Sequence, residues 1–144
     1  VLGVLLAGGR SRRMGGGDKC LKKLGGQTLL SRVINRVKDQ VGPMILNANG
    51  DPARFSSYRI PVVPDVVSGF SGPLAGVLTG LEWAAENAPA CEYVATFATD
   101  APFLPSDLVE KLQNLINIGD LICFNFFNTI LFIFLNSFKA IRGY

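Results

Sequence analysis

Short apolar runs alternate along this chain with segments of helical periodicity, and that alternation limits the fold more than any other feature. Val1–Ala7 is continuously apolar and ends at Gly8-Gly9, the pattern of a parallel strand buried on both faces. Pro43–Ala48, Ile60–Val63 and Tyr93–Ala98 read as further strands, with Pro61 and Pro64 keeping the third short or near an edge. Between them, Thr28 can cap a helix whose Leu29, Leu30, Val33, Ile34, Val37 and Val41 follow helical spacing. Asp51-Pro52 signals a short helix, and Pro73 opens another expected to bury Leu74, Val77, Leu78 and Leu81. Pro105 opens the next, through about Asn117, with Leu108, Val109, Leu112 and Leu115 facing inward. Such alternation implies an α/β fold with a mostly parallel sheet and right-handed crossovers. Ligands of these sheets sit beyond the carboxyl ends of the strands, where Gly8, Asn47, Asp65 and Asp100 fall.

Composition narrows the chemistry. The 144 residues are one domain's worth, and 49% hydrophobic against 17% charged residues excludes a disordered chain. Histidine is absent, which removes Ser-His-Asp and Cys-His catalysis and His-containing zinc sites. Nine of the 14 Lys and Arg lie between Arg10 and Lys38, a block that points to phosphates as partners. The three cysteines, Cys20, Cys91 and Cys123, form no CxxC pair and suggest a reduced, cytoplasmic protein. No signal-peptide pattern stands at the start. Leu121–Phe138 is uncharged over eighteen residues but carries three Asn, and is expected to be a tail and not a membrane span.

Several residues could carry chemistry. In Gly8–Lys19, side-chain-free glycines let backbone N–H groups curl around phosphate oxygens while Arg and Lys add charge. The loop matches neither G-x-x-x-x-G-K-[ST] nor G-x-G-x-x-G, and its place after a buried strand, with Arg10, Arg12, Arg13 and Lys19, favours a compact phosphate site over the alternative of a solvated surface loop. Asp100 is placed to hold Mg²⁺ together with substrate phosphates, or merely to cap a turn. Asp65 and the loop Gly69–Gly76 precede a helix N-terminus, a polar-group site or a plain connection. Asn47 and Asn49 could read a base edge or a ribose, although the Asn49-Gly50 turn by itself accounts for Asn49. Cys20, beside Leu21 and with no His partner, reads as a packed thiol.

Taken in order, Leu6-Ala7-Gly8-Gly9, Arg13-Met14-Gly15, Asp18-Lys19, Asn47-Ala48-Asn49, Asp65, Gly72-Pro73-Leu74-Ala75-Gly76 and Thr99-Asp100-Ala101-Pro102-Phe103 resemble the molybdenum cofactor guanylyltransferases. The resemblance covers about residues 1–116 and implies a Rossmann-like, three-layer αβα nucleotidyltransferase domain. It implies transfer of GMP from GTP to the terminal phosphate of molybdenum-bound molybdopterin, with release of pyrophosphate. It also implies roles by position. Leu6, Ala7, Gly8 and Gly9 would lie along the nucleotide, Asn47 and Asp65 would bind guanosine, and Lys19 its phosphates. Asp100 would hold Mg²⁺, Arg13 would join Lys19 in stabilising pyrophosphate, and Gly16, Gly72 and Gly76 would shape the cofactor side. The expected partners are GTP and molybdenum-molybdopterin, with cofactor-delivery or acceptor proteins in addition, and neither nucleic acid nor membrane.

Residues 117–144 depart from the family pattern, carrying six of the ten Phe with Asp120, Lys139 and Arg142 as the charged residues. We therefore expect a nucleotidyltransferase domain over 1–116, incomplete at its C-terminus, and an atypical Phe/Asn-rich tail over 117–144 produced by truncation or a reading-frame change. Two other readings stay open: a CTP-using nucleotidyltransferase acting on molybdopterin or a sugar phosphate, and an inactive nucleotide-binding product.

Overall fold

The computed structural model describes residues 1–7, 17–67, 72–116 and 130–134. Its centre is β1 (Leu2–Leu6), where Leu2, Val4 and Leu5 are fully buried because both faces of the strand are covered. β4 (Met44–Asn47) and β6 (Tyr93–Ala98) flank it in parallel, with Leu6 opposite Asn47 on one side and Ala98 on the other. β5 (Val62–Val63) adds in parallel to β4 at the edge. It is two residues long, as its flanking prolines predict, and Pro61 serves the sheet through its carbonyl, which accepts from Leu46 N at 2.8 Å. β7 (Ile130–Phe134) closes the other edge antiparallel to β6, giving the order β5-β4-β1-β6-β7. A separate hairpin, β2 (Lys23–Leu24) and β3 (Gln27–Thr28), turns through Gly25 and Gly26, whose φ values of 59° and 82° favour glycine at both positions.

Helices cover both faces. α1 (Leu29–Val37) and α3 (Leu108–Ile116) bury Leu30, Val33, Val37, Val109 and Leu112 against Leu5, Leu46 and Phe97. α2 (Pro73–Asn87) lies on the opposite face, where Val77, Leu81 and Ala84 meet Leu2, Val4, Ile45 and Val94. Each large apolar side chain so buried contributes roughly 1.5–3 kcal/mol, so both layers are needed to hold the sheet. Thr28 caps α1 as expected, accepting from Ser31 N at 3.0 Å, and its hydroxyl also meets Tyr58 Oη at 2.7 Å. Gln40 clasps α1 to α3, donating to the Arg36 and Pro105 carbonyls and accepting from Val109 N near the start of α3.

Three details differ from the periodicity reading. α1 ends at Val37, and Val41 instead packs over Gly3, where a β-carbon would lie 2.9 Å from Val41 Cγ2. α3 begins at Leu108, three residues past Pro105. Leu74 is 70% exposed, because the buried stripe of α2 runs through Ala75, Gly76, Thr79 and Gly80. Small residues let the helix lie close to β1: a β-carbon on Gly80 would stand 2.7 Å from Val4 Cγ2.

Candidate active site

The parallel strands deliver Leu6, Ala7, Asn47, Asp65 and Asp100 to one edge of the sheet. Leu6 ends β1, and its carbonyl accepts from Thr99 Oγ1 at 2.9 Å and Thr99 N at 3.4 Å, which ties the end of β6 to that of β1. Ala7 N donates to the Asn47 carbonyl at 2.9 Å and ties the same point to β4. These bonds continue the ladders past the last paired residues and hold Asp100, next after Thr99, at the mouth.

One half of the site carries charge. Lys19, which begins a 3-10 turn over Lys19–Leu21, reaches Asp100 with Nζ to Oδ2 at 2.6 Å across 81 positions of sequence. Both side chains are nearly half exposed, so this pair is open to a ligand. Asp18 turns the other way and pairs with Arg54. Between them Cys20 is buried, and its thiol is pushed up from 9.0 to about 11, mainly by burial and next by the neighbouring Asp18 carboxylate. It is a packed thiol, as the sequence suggests.

The other half is a polar lattice around Asp65. Asn47 is 2% exposed and donates through Nδ2 to Asp65 Oδ1 at 2.9 Å and to the Val63 carbonyl at 3.3 Å. Asn49 Nδ2 donates to Asp65 Oδ2 at 2.7 Å, and Asp65 N donates back to Asn49 Oδ1 at 2.9 Å. Asn49 therefore does more than make its turn with Gly50: its amide orients Asp65. Val66 N, the next residue, donates to Thr79 Oγ1 at 3.0 Å and joins this lattice to α2. Gly72 stands before the first residue of α2 in extended backbone with open space around it, whereas Gly76, one turn in, is pressed against Asn47 and Leu6. Gly8, Gly9, Arg13 and Gly16 lie outside the described residues. In the sequence Asn49 is weighed as a base or ribose reader and set down to its turn, whereas its bonds to Asp65, the Thr99 bonds to Leu6 and the Asp18–Arg54 pairing carry no signal in residue spacing.

Residues 3–128 match the sequence profile of the MobA-like NTP transferase domain. The chain belongs to this family. A molybdenum cofactor guanylyltransferase of Bradyrhizobium sp. (strain ORS 278) is 57% identical over 112 residues, which are 78% of this chain and 53% of the relative. The chain thus spans about half the length of the curated relatives it matches. Among solved structures, molybdopterin-guanine dinucleotide biosynthesis protein A from Archaeoglobus fulgidus superposes with a TM-score of 0.70 at 19% identity, covering 99% of this chain and 74% of that one. A Mycobacterium tuberculosis protein in complex with manganese, Rv0371C, gives 0.63 at 17% identity, covering 99% and 75%. The profile match and the curated relatives bear out the expected family, and the solved structures the α/β fold, with β7 as the antiparallel member of an otherwise parallel sheet. Among the described residues of this family member, no helix is long and apolar enough to cross a membrane, and Cys20 and Cys91 are free thiols.

Proposed function

We infer that this chain carries the nucleotide half of a molybdenum cofactor guanylyltransferase, moving GMP from GTP to the terminal phosphate of molybdenum-molybdopterin. The observation that carries the reading is the meeting of Lys19 and Asp100 beside the end of β1. The relatives' names supply the acceptor and the base.

The reaction breaks the α–β phosphoanhydride of GTP and forms a new phosphoanhydride to the acceptor oxygen. That acceptor is already an anion near neutral pH, so alignment and charge neutralisation matter more than a strong base. Asn47 and Asp65 hold the guanosine end, with the Asp65 carboxylate set by its two amide donors. Leu6 and Ala7 line the path to the phosphates, and the family resemblance assigns Gly8 and Gly9 to the nucleotide and Gly16, Gly72 and Gly76 to the cofactor-binding loop. Lys19 neutralises the departing pyrophosphate where charge develops, a role the family resemblance also assigns to Arg13.

Among the described residues, no group of three or more Cys, Asp or Glu could hold a metal by itself. A single half-exposed carboxylate, Asp100, instead suits Mg²⁺, which takes one or two carboxylates and completes its shell with phosphates and water. Bound there, the ion supplies Lewis acidity and a template for phosphate oxygens. The manganese in the Mycobacterium tuberculosis neighbour supports a divalent metal of some kind. A cytoplasmic setting agrees with the free Cys20 and Cys91.

The test is pyrophosphate release by the purified chain with molybdenum-loaded molybdopterin and a panel of nucleoside triphosphates. GTP should be preferred, and Lys19→Ala and Asp100→Ala should lower turnover by at least about 10²-fold. A preference for CTP would overturn the assignment. Binding of Mg-GTP without turnover, unchanged by Asp100→Ala, would make the chain a nucleotide-binding remnant.

A further inference from the structure

The guanidinium of Arg54 is shared between two parts of the chain. Nη2 donates to the Asn49 carbonyl at 2.5 Å and Nη1 to the Asp51 carbonyl at 2.7 Å. Nε, itself buried, stands 2.6 Å from Asp18 Oδ2, a contact of opposite charges without hydrogen-bond alignment. The guanidinium lies over the Phe55 ring, 4.6 Å from its centroid. At Gly50, where φ is +85°, a β-carbon would come within 3.1 Å of Nη1, so the backbone wraps closely around the group. A planar fork with five donors suits this cradle, and the single point charge of a lysine does not.

Each end of the arrangement adjoins one half of the site. Asn49, whose carbonyl Arg54 holds, exchanges hydrogen bonds with Asp65 through its amide. Asp18, whose carboxylate Arg54 faces, precedes Lys19, which reaches Asp100. The path Asp65–Asn49–Arg54–Asp18–Lys19–Asp100 is thus continuous through covalent or polar contact at every step.

We propose that Arg54 is a positioning residue that ties the nucleoside half of the site to its phosphate half, fixing their separation so that both ends of one nucleotide are met together. The nature of the ligand rests on the guanylyltransferase reading; the tie between the two segments does not. Arg54 itself touches neither substrate nor metal in this scheme and acts through Asn49 and Asp18.

Calorimetric titration of Mg-GTP and of GMP into the full chain, Arg54→Met and Asp18→Asn separates this role from a general loss of structure. Arg54→Met, which keeps the stem over Phe55, should weaken GTP about tenfold and GMP severalfold, as expected for losing charge-assisted contacts. Asp18→Asn cuts the phosphate side alone, and should weaken GTP about fivefold while GMP stays within about twofold. The double variant should be no weaker than Arg54→Met, because both substitutions sever one path. Unchanged GTP affinity in Arg54→Met, or fully additive losses in the double variant, would overturn the proposal. A second readout needs no nucleotide: the rate of thiol labelling at Cys20, followed peptide by peptide to separate it from Cys91 and Cys123. Arg54→Met should speed Cys20 labelling about tenfold by loosening the Asp18–Leu21 turn. Losing a nearby cation would by itself slow the reaction, so acceleration reports opening. If the parent chain binds no GTP, the guanylyltransferase reading fails, and unchanged Cys20 labelling then overturns the tie on its own.

Discussion

The amide oxygen of Asn47 occupies the space in which a β-carbon on residue 76 would lie, and Gly76 is therefore part of how Asn47 is aimed. Leu6 Cδ2, 2.8 Å from the same point, closes the other escape. Gly76→Ala should cost about 1–3 kcal/mol by overpacking, read as a lower urea midpoint at unchanged slope. It should also raise the KM for GTP, since Asn47 has to leave Asp65 for the methyl group to fit. A full-strength nucleotide affinity in a destabilised Gly76→Ala protein would show that Asn47 is not needed at the base end.

Asp65→Asn tests the lattice from its centre. The carboxylate accepts from two amide N–H groups, one on each oxygen, and an asparagine would turn its own N–H₂ toward one of them. The unsatisfied donor should cost about 1–3 kcal/mol, in stability, in nucleotide affinity, or divided between the two. Thermal unfolding with and without GTP measures both shares.

Lys19→Ala and Asp100→Asn should separate folding from function. Their ion pair is nearly half exposed, so breaking it should move stability by less than about 1 kcal/mol. Turnover should fall by roughly 10²–10³, the usual cost of removing a preorganised charge from a site where charge develops. Equal losses in melting temperature and in activity would argue that the pair is structural.

Cys20 predicts a dependence on alkaline pH. Its thiol sits near 11 in the fold against 9.0 when unperturbed, so the folded protein holds the proton that the unfolded chain releases. The contribution is fully present below pH 9 and is lost as pH rises through 11. It amounts to something on the order of 2 kcal/mol. Urea midpoints at pH 8 and pH 11 should converge when Cys20 is replaced by alanine, after allowance for other titrating groups.

Much of this was legible in the chain because strands buried on both faces leave an unmistakable apolar run, and their ends then lie where ligands bind. Asn47, Asp65 and Asp100 were found that way. Thr28 and Asp51 were legible from local chemistry alone, and both side chains accept from a backbone N–H in the following turn. The buried face of α2 was not, because helical spacing favours large side chains such as Leu74, whereas the contact with β1 is made by Gly76 and Gly80. Nor could spacing join Asn49 to Asp65 or Arg54 to Asp18, since those pairings depend on strand register and on where two turns come to rest. The segment Ile130–Phe134 read by composition as part of a Phe-rich tail, and its pairing with β6 is likewise a matter of an available edge that no local pattern names.

The flush alignment of Asn47, Leu6 and Ala98 across three neighbouring strands makes the sheet a ruler. Two inter-strand gaps, roughly 10 Å, separate the strand end that carries Asn47 from the one that leads into Asp100. That span between strand ends is set by backbone hydrogen bonding and holds under small substitutions, while Arg54 sets the distance between the loops that lie beyond it. The residues mounted at its marks, Asn47 on one and Asp100 just past the other, take their spacing from the sheet.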